Sequence, residues 1–110
     1  MANRAKQKGD RIEREIVELH KDLEIDAQRI PLSGAAGGHF VGDIKIGNII
    51  AEVKARSEGS GFKMLEKWLG DNHLLFLRQD RKNPLVVIPW DVYSKMICQL
   101  GNNWFKEFIR

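Results

Sequence analysis

The chain has 110 residues, with 18 Lys or Arg against 15 Asp or Glu, and a formal net charge of +3. This length favours one domain, and an ordinary apolar content favours a modest core. No apolar run approaches the length of a membrane span, and the N-terminal residues lack the apolar core of a signal peptide. The single cysteine, Cys98, excludes an internal disulfide. We therefore expect an intracellular, cytoplasmic protein in which Cys98 is a buried small hydrophobe.

Positive charge is concentrated at the start of the chain. The cations there are Arg4, Lys6, Lys8 and Arg11. We predict a flexible basic arm over residues 1–9 and a single domain over residues 10–110. Such an arm suits a polyanion and suggests a nucleic-acid backbone, but a solvated tail explains it equally well.

A first helix is predicted to begin at Asp10, a residue type that caps helix N-termini. Glu13 follows three residues later, as in a capping box with Asp in place of Ser or Thr. The apolar residues with helical spacing are Ile12, Ile16, Leu19 and Leu23. At about 100° per residue, Glu13 falls at the border of this apolar stripe and can approach the edge of the core.

A short strand is predicted over residues 25–32, and Pro31 indicates a sheet edge or a strand end. A loop of small residues follows at 33–38. Two β-branched runs, Ile44–Ile46 and Ile49–Ala51, are then separated by Gly47-Asn48, a strong signal for a two-residue hairpin turn. Continued past the two runs, this register places Asp43 opposite Glu52.

Beyond the hairpin we predict a polar linker, a helix, two strands and a helix. The residues are 57–61 for the linker, 62–69 for the helix, 73–77 and 85–88 for the strands, and 91–100 for the second helix. A last amphipathic turn or two is predicted at 104–109. Its apolar side chains suit either a dimer interface or closure onto the chain's own core. The predicted order is helix, three strands, helix, two strands, helix.

The predicted pairing of Asp43 with Glu52 carries the chemistry. Directly opposed side chains have Cβ atoms roughly 4.5–5.5 Å apart, and like charges there repel. A divalent cation removes the repulsion, since carboxylate oxygens suit Mg²⁺ or Mn²⁺. Lys54 lies on the same face as Glu52, because side chains alternate along a strand. The Val53 carbonyl is a candidate extra ligand, and Glu13 can complete the shell directly or through water.

Two motifs match a known nuclease pattern. The string Gly42-Asp43, eight residues, Glu52-Val53-Lys54 resembles the PD-(D/E)XK nuclease signature, with Gly42 in place of the proline. Within that superfamily, the chain resembles the archaeal-type Holliday junction resolvase family, including its phage-borne members. Lys8-Gly9, three residues, Glu13-Arg14-Glu15 is similar to the family's opening motif. Arg29, with Ser33-Gly34 after it, resembles the family's arginine and serine-glycine segment.

The resemblance implies an α/β restriction-endonuclease-like fold, in which helices flank a central mixed sheet of about five strands in αβββαββα order. It implies a symmetric homodimer that binds branched double-stranded DNA. The implied activity is Mg²⁺-dependent resolution of four-way (Holliday) junctions by paired phosphodiester hydrolysis, with Mn²⁺ as a substitute ion. The loop over residues 33–43 is long and glycine-rich for the family.

Residue roles follow by carry-over. The implied metal ligands are Glu13, Asp43 and Glu52, beside the Val53 carbonyl, and Lys54 is the implied catalytic lysine. The candidate DNA contacts are Lys8, Arg14, Arg29, Ser33 and Arg56.

Simpler interpretations stay open for several of these residues. Glu13 is also explained as a capping-box residue, Arg14 and Arg29 as surface ion-pair partners, and Ser33 as a turn residue. The same fold also suits a nickase, a flap nuclease, a restriction-type nuclease or a non-catalytic DNA-binding module.

Overall fold

The structure is a computed structural model that describes residues 4–31 and 42–109. Within these residues the elements follow the predicted order, and the amphipathic segment predicted at 104–109 overlaps a short last helix. They are α1 (Arg4–Lys21), β1 (Ala27–Arg29), β2 (Ile44–Ile46), β3 (Ile49–Ala51), α2 (Ser60–Leu69), β4 (Leu75–Leu77), β5 (Leu85–Val87), α3 (Trp90–Leu100) and α4 (Asn102–Lys106). The predicted loop at 33–38 lies outside the described residues.

The protein is mixed α/β, as predicted, and its described strands pair in two antiparallel sheets. One sheet has the order β1-β2-β3, and the other pairs β4 with β5. The described pairings therefore do not form the single mixed sheet of about five strands that was predicted. Both hairpins are local, so their turns fix antiparallel pairing, whereas pairing between distant strands leaves no such signal in the sequence.

The chain divides into two compact units, which are described separately. The three-strand unit comprises Met1–Ala55 and Leu100–Arg110, and the two-strand unit comprises Arg56–Gln99. The single domain expected over residues 10–110 stays a prediction.

Helix α1 begins at Arg4, six residues before the predicted start at Asp10. Residues 4–9, predicted as part of a flexible arm, are helical in the structure. The physical reason is propensity: apart from Gly9 these residues favour helices, and one interior glycine costs only about 1 kcal/mol. Asp10 therefore does not cap the helix, and the capping-box interpretation of Glu13 is wrong.

The end of α1 forms a Schellman motif. The N–H of Ile25 donates to the His20 carbonyl at 3.0 Å, and the N–H of Glu24 donates to the Lys21 carbonyl at 2.9 Å. Glu24 adopts φ 63°, the left-handed conformation that this motif requires. The reversal turns the chain directly into β1.

The core of the three-strand unit lies between α1 and the first sheet. Its buried side chains are Val17, His20, Ile25, Ala27, Ile44, Ile46 and Phe105. The His20 ring bonds through Nδ1 to the Ile16 carbonyl at 2.8 Å, which satisfies a polar group inside the core. His20 thus packs as a core residue.

The β2–β3 hairpin confirms the predicted turn and register. Ile44 pairs with Ala51 and Ile46 with Ile49. Gly47 adopts φ 58°, and a Cβ there would lie 2.6 Å from backbone and side-chain atoms of Phe105. The turn therefore needs glycine for its conformation and for the close approach of α4.

The two-strand unit has little buried apolar surface. Of its residues, only Ile97 is buried, and Cys98 is exposed, so the prediction of a buried cysteine is wrong. Successive helical residues lie about 100° apart, so Cys98 turns away when Ile97 faces inward. Helix α2 ends at Leu69 and is followed by the C-cap residue Gly70, whose N–H donates to the Glu66 carbonyl at 2.9 Å.

Candidate nuclease site

The antiparallel order of the first sheet brings most of the predicted site residues to one end of it. β1 and β3 finish at this end and β2 begins there. Arg29 is the last residue of β1, Asp43 directly precedes β2, and Glu52 directly follows β3. The sequence places these residues far apart, and strand pairing makes them neighbours.

Asp43 is held by three hydrogen bonds. Its carbonyl accepts from the Ile30 N–H at 2.9 Å, and its N–H donates to the Ala51 carbonyl at 2.9 Å. Its Oδ2 accepts from the Val53 N–H at 2.7 Å. The carboxylate is therefore oriented by the backbone that leaves β3.

The predicted opposition of Asp43 to Glu52 is not part of the ladder, which ends at the pair of Ile44 with Ala51. The Asp43 N–H instead bonds residue 51, one position short of the register partner, as in a bulge. The prediction that the Val53 carbonyl is a metal ligand requires Val53 to lie next to Asp43. Val53 does lie there, and its contact with Asp43 is made by the Val53 N–H.

Glu52 and Lys54 lie on the same side of the chain, as the predicted alternation requires. The Lys54 Nζ is 3.3 Å from Glu52 Oε1, and their side chains are 64% and 52% exposed. An ion pair this exposed contributes at most about 1 kcal/mol to stability. Both groups are accessible to a ligand, and Arg56 continues the alternation as an exposed residue.

Arg29 joins β1 to α1 through two carboxylates. Its Nη2 is 2.8 Å from Asp10 Oδ1 and its Nε is 3.1 Å from Glu13 Oε1. All three side chains are less than one-third exposed, so these charge-assisted bonds are only partly screened by water. Of the two interpretations of Arg29, ion-pair partner or phosphate ligand, the structure contains the ion pair.

The glycine that stands in place of the signature's proline has a close neighbour in Ile50. A Cβ at Gly42 would lie 2.5 Å from Ile50 Cγ2 and 3.2 Å from the Ala51 carbonyl oxygen. The Ile50 side chain lies over Gly42. A proline at position 42 would therefore collide with Ile50.

A divalent ion fits the chemistry of the donors at this end of the sheet. Asp43 and Glu52 offer hard carboxylate oxygens, the type that Mg²⁺ prefers. In the part of the chain that the structure describes, no group of three or more His, Cys, Asp or Glu side chains is arranged to hold a metal. Glu13 instead bonds Arg29 through Oε1, and Oε2 is the oxygen that remains for a third ligand.

Two of the other predicted DNA contacts, Lys8 and Arg14, do not share one face of a helix. Lys8 and Arg14 are six residues apart in α1 and therefore lie on different faces of that helix. Ser33 lies outside the described residues. Lys8 is half-buried, while Arg14 is exposed.

Sequence reasoning missed Asp10 as a member of this site. It was interpreted as a helix cap, although Asp10 and Glu13 are three residues apart. In a helix that extends through both, this spacing puts them on one face. This spacing, together with an earlier helix start, is the sequence signal that Asp10 and Glu13 bind one cation. In the structure that cation is the Arg29 guanidinium.

No helix in residues 4–31 or 42–109 combines the length and apolar character needed to cross a membrane.

Comparison with known proteins found no matching family model, curated protein or solved structure.

Proposed function

We propose that this chain is a metal-dependent, structure-selective DNA endonuclease that resolves four-way junctions. The observation that carries the proposal is the sheet end shared by Arg29, Asp43 and Glu52, with Lys54 beside Glu52. The element order supports the restriction-endonuclease-like fold of the Holliday junction resolvase family. The proposal includes one central sheet to which both small sheets belong, and an intracellular site of action.

The acids at this sheet end are the proposed metal ligands. Asp43 and Glu52 would bind Mg²⁺ or Mn²⁺, with the Val53 carbonyl as a further ligand. A divalent ion supplies activation of water and neutralisation of charge on the phosphate. The Val53 N–H orients the Asp43 carboxylate. Lys54 provides a cation near the position where negative charge develops on the scissile phosphate.

Arg29 acts in this proposal as a positioning residue for Glu13. Its guanidinium balances the charge of Asp10 and Glu13 and fixes the Glu13 carboxylate through Oε1. Metal ligation by Glu13 through Oε2 is compatible with that bond. With Arg29 held by these two carboxylates, the proposed DNA contacts are the other four candidates, Lys8, Arg14, Ser33 and Arg56.

Cleavage of a synthetic four-way junction in Mg²⁺ tests the proposal. We expect paired incisions by the parent chain, and a loss of at least about a hundredfold in rate for Asp43→Asn, because a metal ligand is removed. Asp26→Asn is the matched control, since Asp26 lies at the opposite end of the same sheet. Full activity of Asp43→Asn, or no cleavage by the parent chain, would overturn the proposal.

A substrate panel separates the related nuclease activities. Junction, flap and plain duplex substrates are compared under the same conditions with the parent chain. Preferential cleavage of the junction on two strands supports resolution, while single nicks or flap removal identify the related nuclease. Preference for particular sequences in plain duplex identifies a restriction-type enzyme.

A non-catalytic DNA-binding module is the second candidate, and one observation favours it. Glu13 bonds Arg29, and the described acids form no cluster of three that could hold a metal. This candidate predicts salt-sensitive junction binding in EDTA and no product when Mg²⁺ is added. Binding and cleavage measured on the same junction distinguish the two candidates.

A further inference from the structure

The two-strand unit contains an open cavity of about 600 Å³. Trp68 of α2 lines one part of it, and Leu85, at the start of β5, lines another. Arg78, Lys82 and Asn83 line it from the connection between β4 and β5. The volume falls within the range of small-molecule sites, roughly 300–1,000 Å³.

The apolar part of this cavity is accessible to a ligand. Trp68 is 51% exposed and Leu85 is 68% exposed. The Trp68 indole makes no ring contact or hydrogen bond with the residues that the structure describes. An open indole face beside an aliphatic side chain suits a flat, weakly polar group such as a nucleobase.

The charged part of the cavity is cationic. Arg78 and Lys82 form no ion pair with any residue of the described part, and none of the cavity's described lining residues is acidic. The turn that carries them is closed by a bond of 3.0 Å from the Lys82 N–H to the Gln79 carbonyl. Two unpaired cations beside an apolar wall attract an anion that also has an apolar part.

We propose that this cavity binds an unpaired nucleotide of a DNA strand. The base stacks on Trp68 and contacts Leu85, the flanking phosphates bind Arg78 and Lys82, and the Asn83 amide is available to the base edge. The choice of DNA among nucleotide ligands rests on the proposed nuclease function. The binding itself involves no metal and no cleavage, so it is measured independently of that function.

The experiment is a binding titration in EDTA with a labelled oligothymidylate of about eight nucleotides. We expect saturable binding that Trp68→Leu weakens by about tenfold. The pair Arg78→Gln and Lys82→Gln should weaken it similarly and reduce its salt dependence, because each phosphate contact releases counterions. Lys63→Gln, in α2 outside the cavity lining, is the control expected to bind within about twofold of the parent chain.

The two kinds of variant keep the test decisive. If Trp68→Leu alters the circular dichroism spectrum or the Tm, the exposed pair at Arg78 and Lys82 carries the comparison. Binding of the oligomer in EDTA is expected whether or not the parent chain cleaves junctions in Mg²⁺, because neither the metal nor cleavage takes part in it. Equal binding of an abasic strand or of duplex DNA of the same length, or wild-type binding by the cavity variants, would overturn the proposal.

Discussion

Gly42 is adjacent to Asp43, and its lack of a side chain is part of how the site is built. A Cβ at position 42 would lie 2.5 Å from Ile50 Cγ2 and 3.2 Å from a backbone oxygen. The close approach of Ile50 to the chain just before Asp43 therefore depends on glycine at position 42.

We expect Gly42→Ala to lower the free energy of unfolding by roughly 1–3 kcal/mol, the usual cost of overpacking. Ile50→Ala removes the colliding methyl group, so the double variant should be more stable than the sum of the two single effects predicts. Urea denaturation of the four proteins in this cycle measures the coupling. Strictly additive effects would contradict the contact.

For single residues, the sequence predicted which residues belong to the candidate site better than it predicted which of them bond to each other. The Lys54 side chain lies beside Glu52 because alternation along an extended chain is a local property. The bond from Arg29 to Glu13 was not predicted, because it joins two elements whose packing the sequence pattern does not specify. Asp10 was misassigned as a helix cap because the helix-favouring residues before it extend α1 to Arg4.

Helix α4 closes the end of the first sheet opposite to the candidate site. The Lys106 Nζ lies 2.8 Å from Asp26 Oδ2, and the Asp26 N–H donates to Asn102 Oδ1 at 3.0 Å. The Asn48 N–H donates to the Phe105 carbonyl at 2.8 Å, and the Phe105 ring is buried. The C-terminal apolar segment was predicted either to form a dimer interface or to close onto the chain's own core. Phe105 packs in the chain's own core.

The contacts of Asp26 with α4 make the free energy of unfolding depend on pH in the acid range. The hydrogen bond from Lys106, then that from Asn102, and the Lys106 charge hold the pKa of Asp26 below its ordinary value of 3.8. A depressed carboxyl pKa gives stability that is complete above about pH 3.8 and is lost as the pH falls through the lower folded-state value. As the pH falls through this range, we expect the stability of Asp26→Asn to fall less steeply than that of the parent chain.

Thermal unfolding of the parent chain and Asp26→Asn across the acid range measures the effect. Lys106→Met is the second comparison, because it removes the partner and should flatten the same part of the profile. Parallel stability profiles for all three proteins would contradict the role of this ion pair.

Elements with a strong local signal were predicted within a few residues. The β2–β3 hairpin has its predicted register because a Gly-Asn turn and β-branched flanks agree with each other. The start of α1 was wrong, because the acidic cap signal at Asp10 competes with helix-favouring residues before it. Cap signals alone therefore fix a helix end poorly when the flanking residues also favour the helix.

In the whole molecule, the second sheet presents an apolar face. Phe76 and Val86 are directly paired across β4 and β5, and both are exposed. Alternation puts Leu77 and Leu85, which line the cavity, on the other face of this sheet. An exposed aromatic and β-branched pair is typical of a surface that another protein covers.

The homodimer that the nuclease resemblance implies is proposed to cover this face. We expect the parent chain to sediment as a dimer, and Phe76→Glu to shift it towards the monomer by about tenfold or more in dissociation constant, because a charge would be buried unpaired. Arg81→Glu, in the exposed β4–β5 turn, is the matched control for added negative charge. A dimeric Phe76→Glu would exclude this face as the interface.

The order of elements was predictable at this scale, whereas the association of the sheets was not. Each element is encoded by a periodicity within a short window. Which strands pair depends on contacts between distant segments, for which the sequence pattern gives no register. The described pairings accordingly confirm the mixed α/β class and leave the single central sheet within the proposed function.

The three-strand unit is discontinuous along the chain, and this has a consequence for the order in which it can fold. Gly47 and Asn48 contact Phe105, so the hairpin turn acquires this packing partner only after the chain has passed through the two-strand unit, Arg56–Gln99. During synthesis on the ribosome, the hairpin therefore exposes this edge of its core until α4 has emerged. The turn itself forms from neighbouring residues, and its packing against α4 comes later.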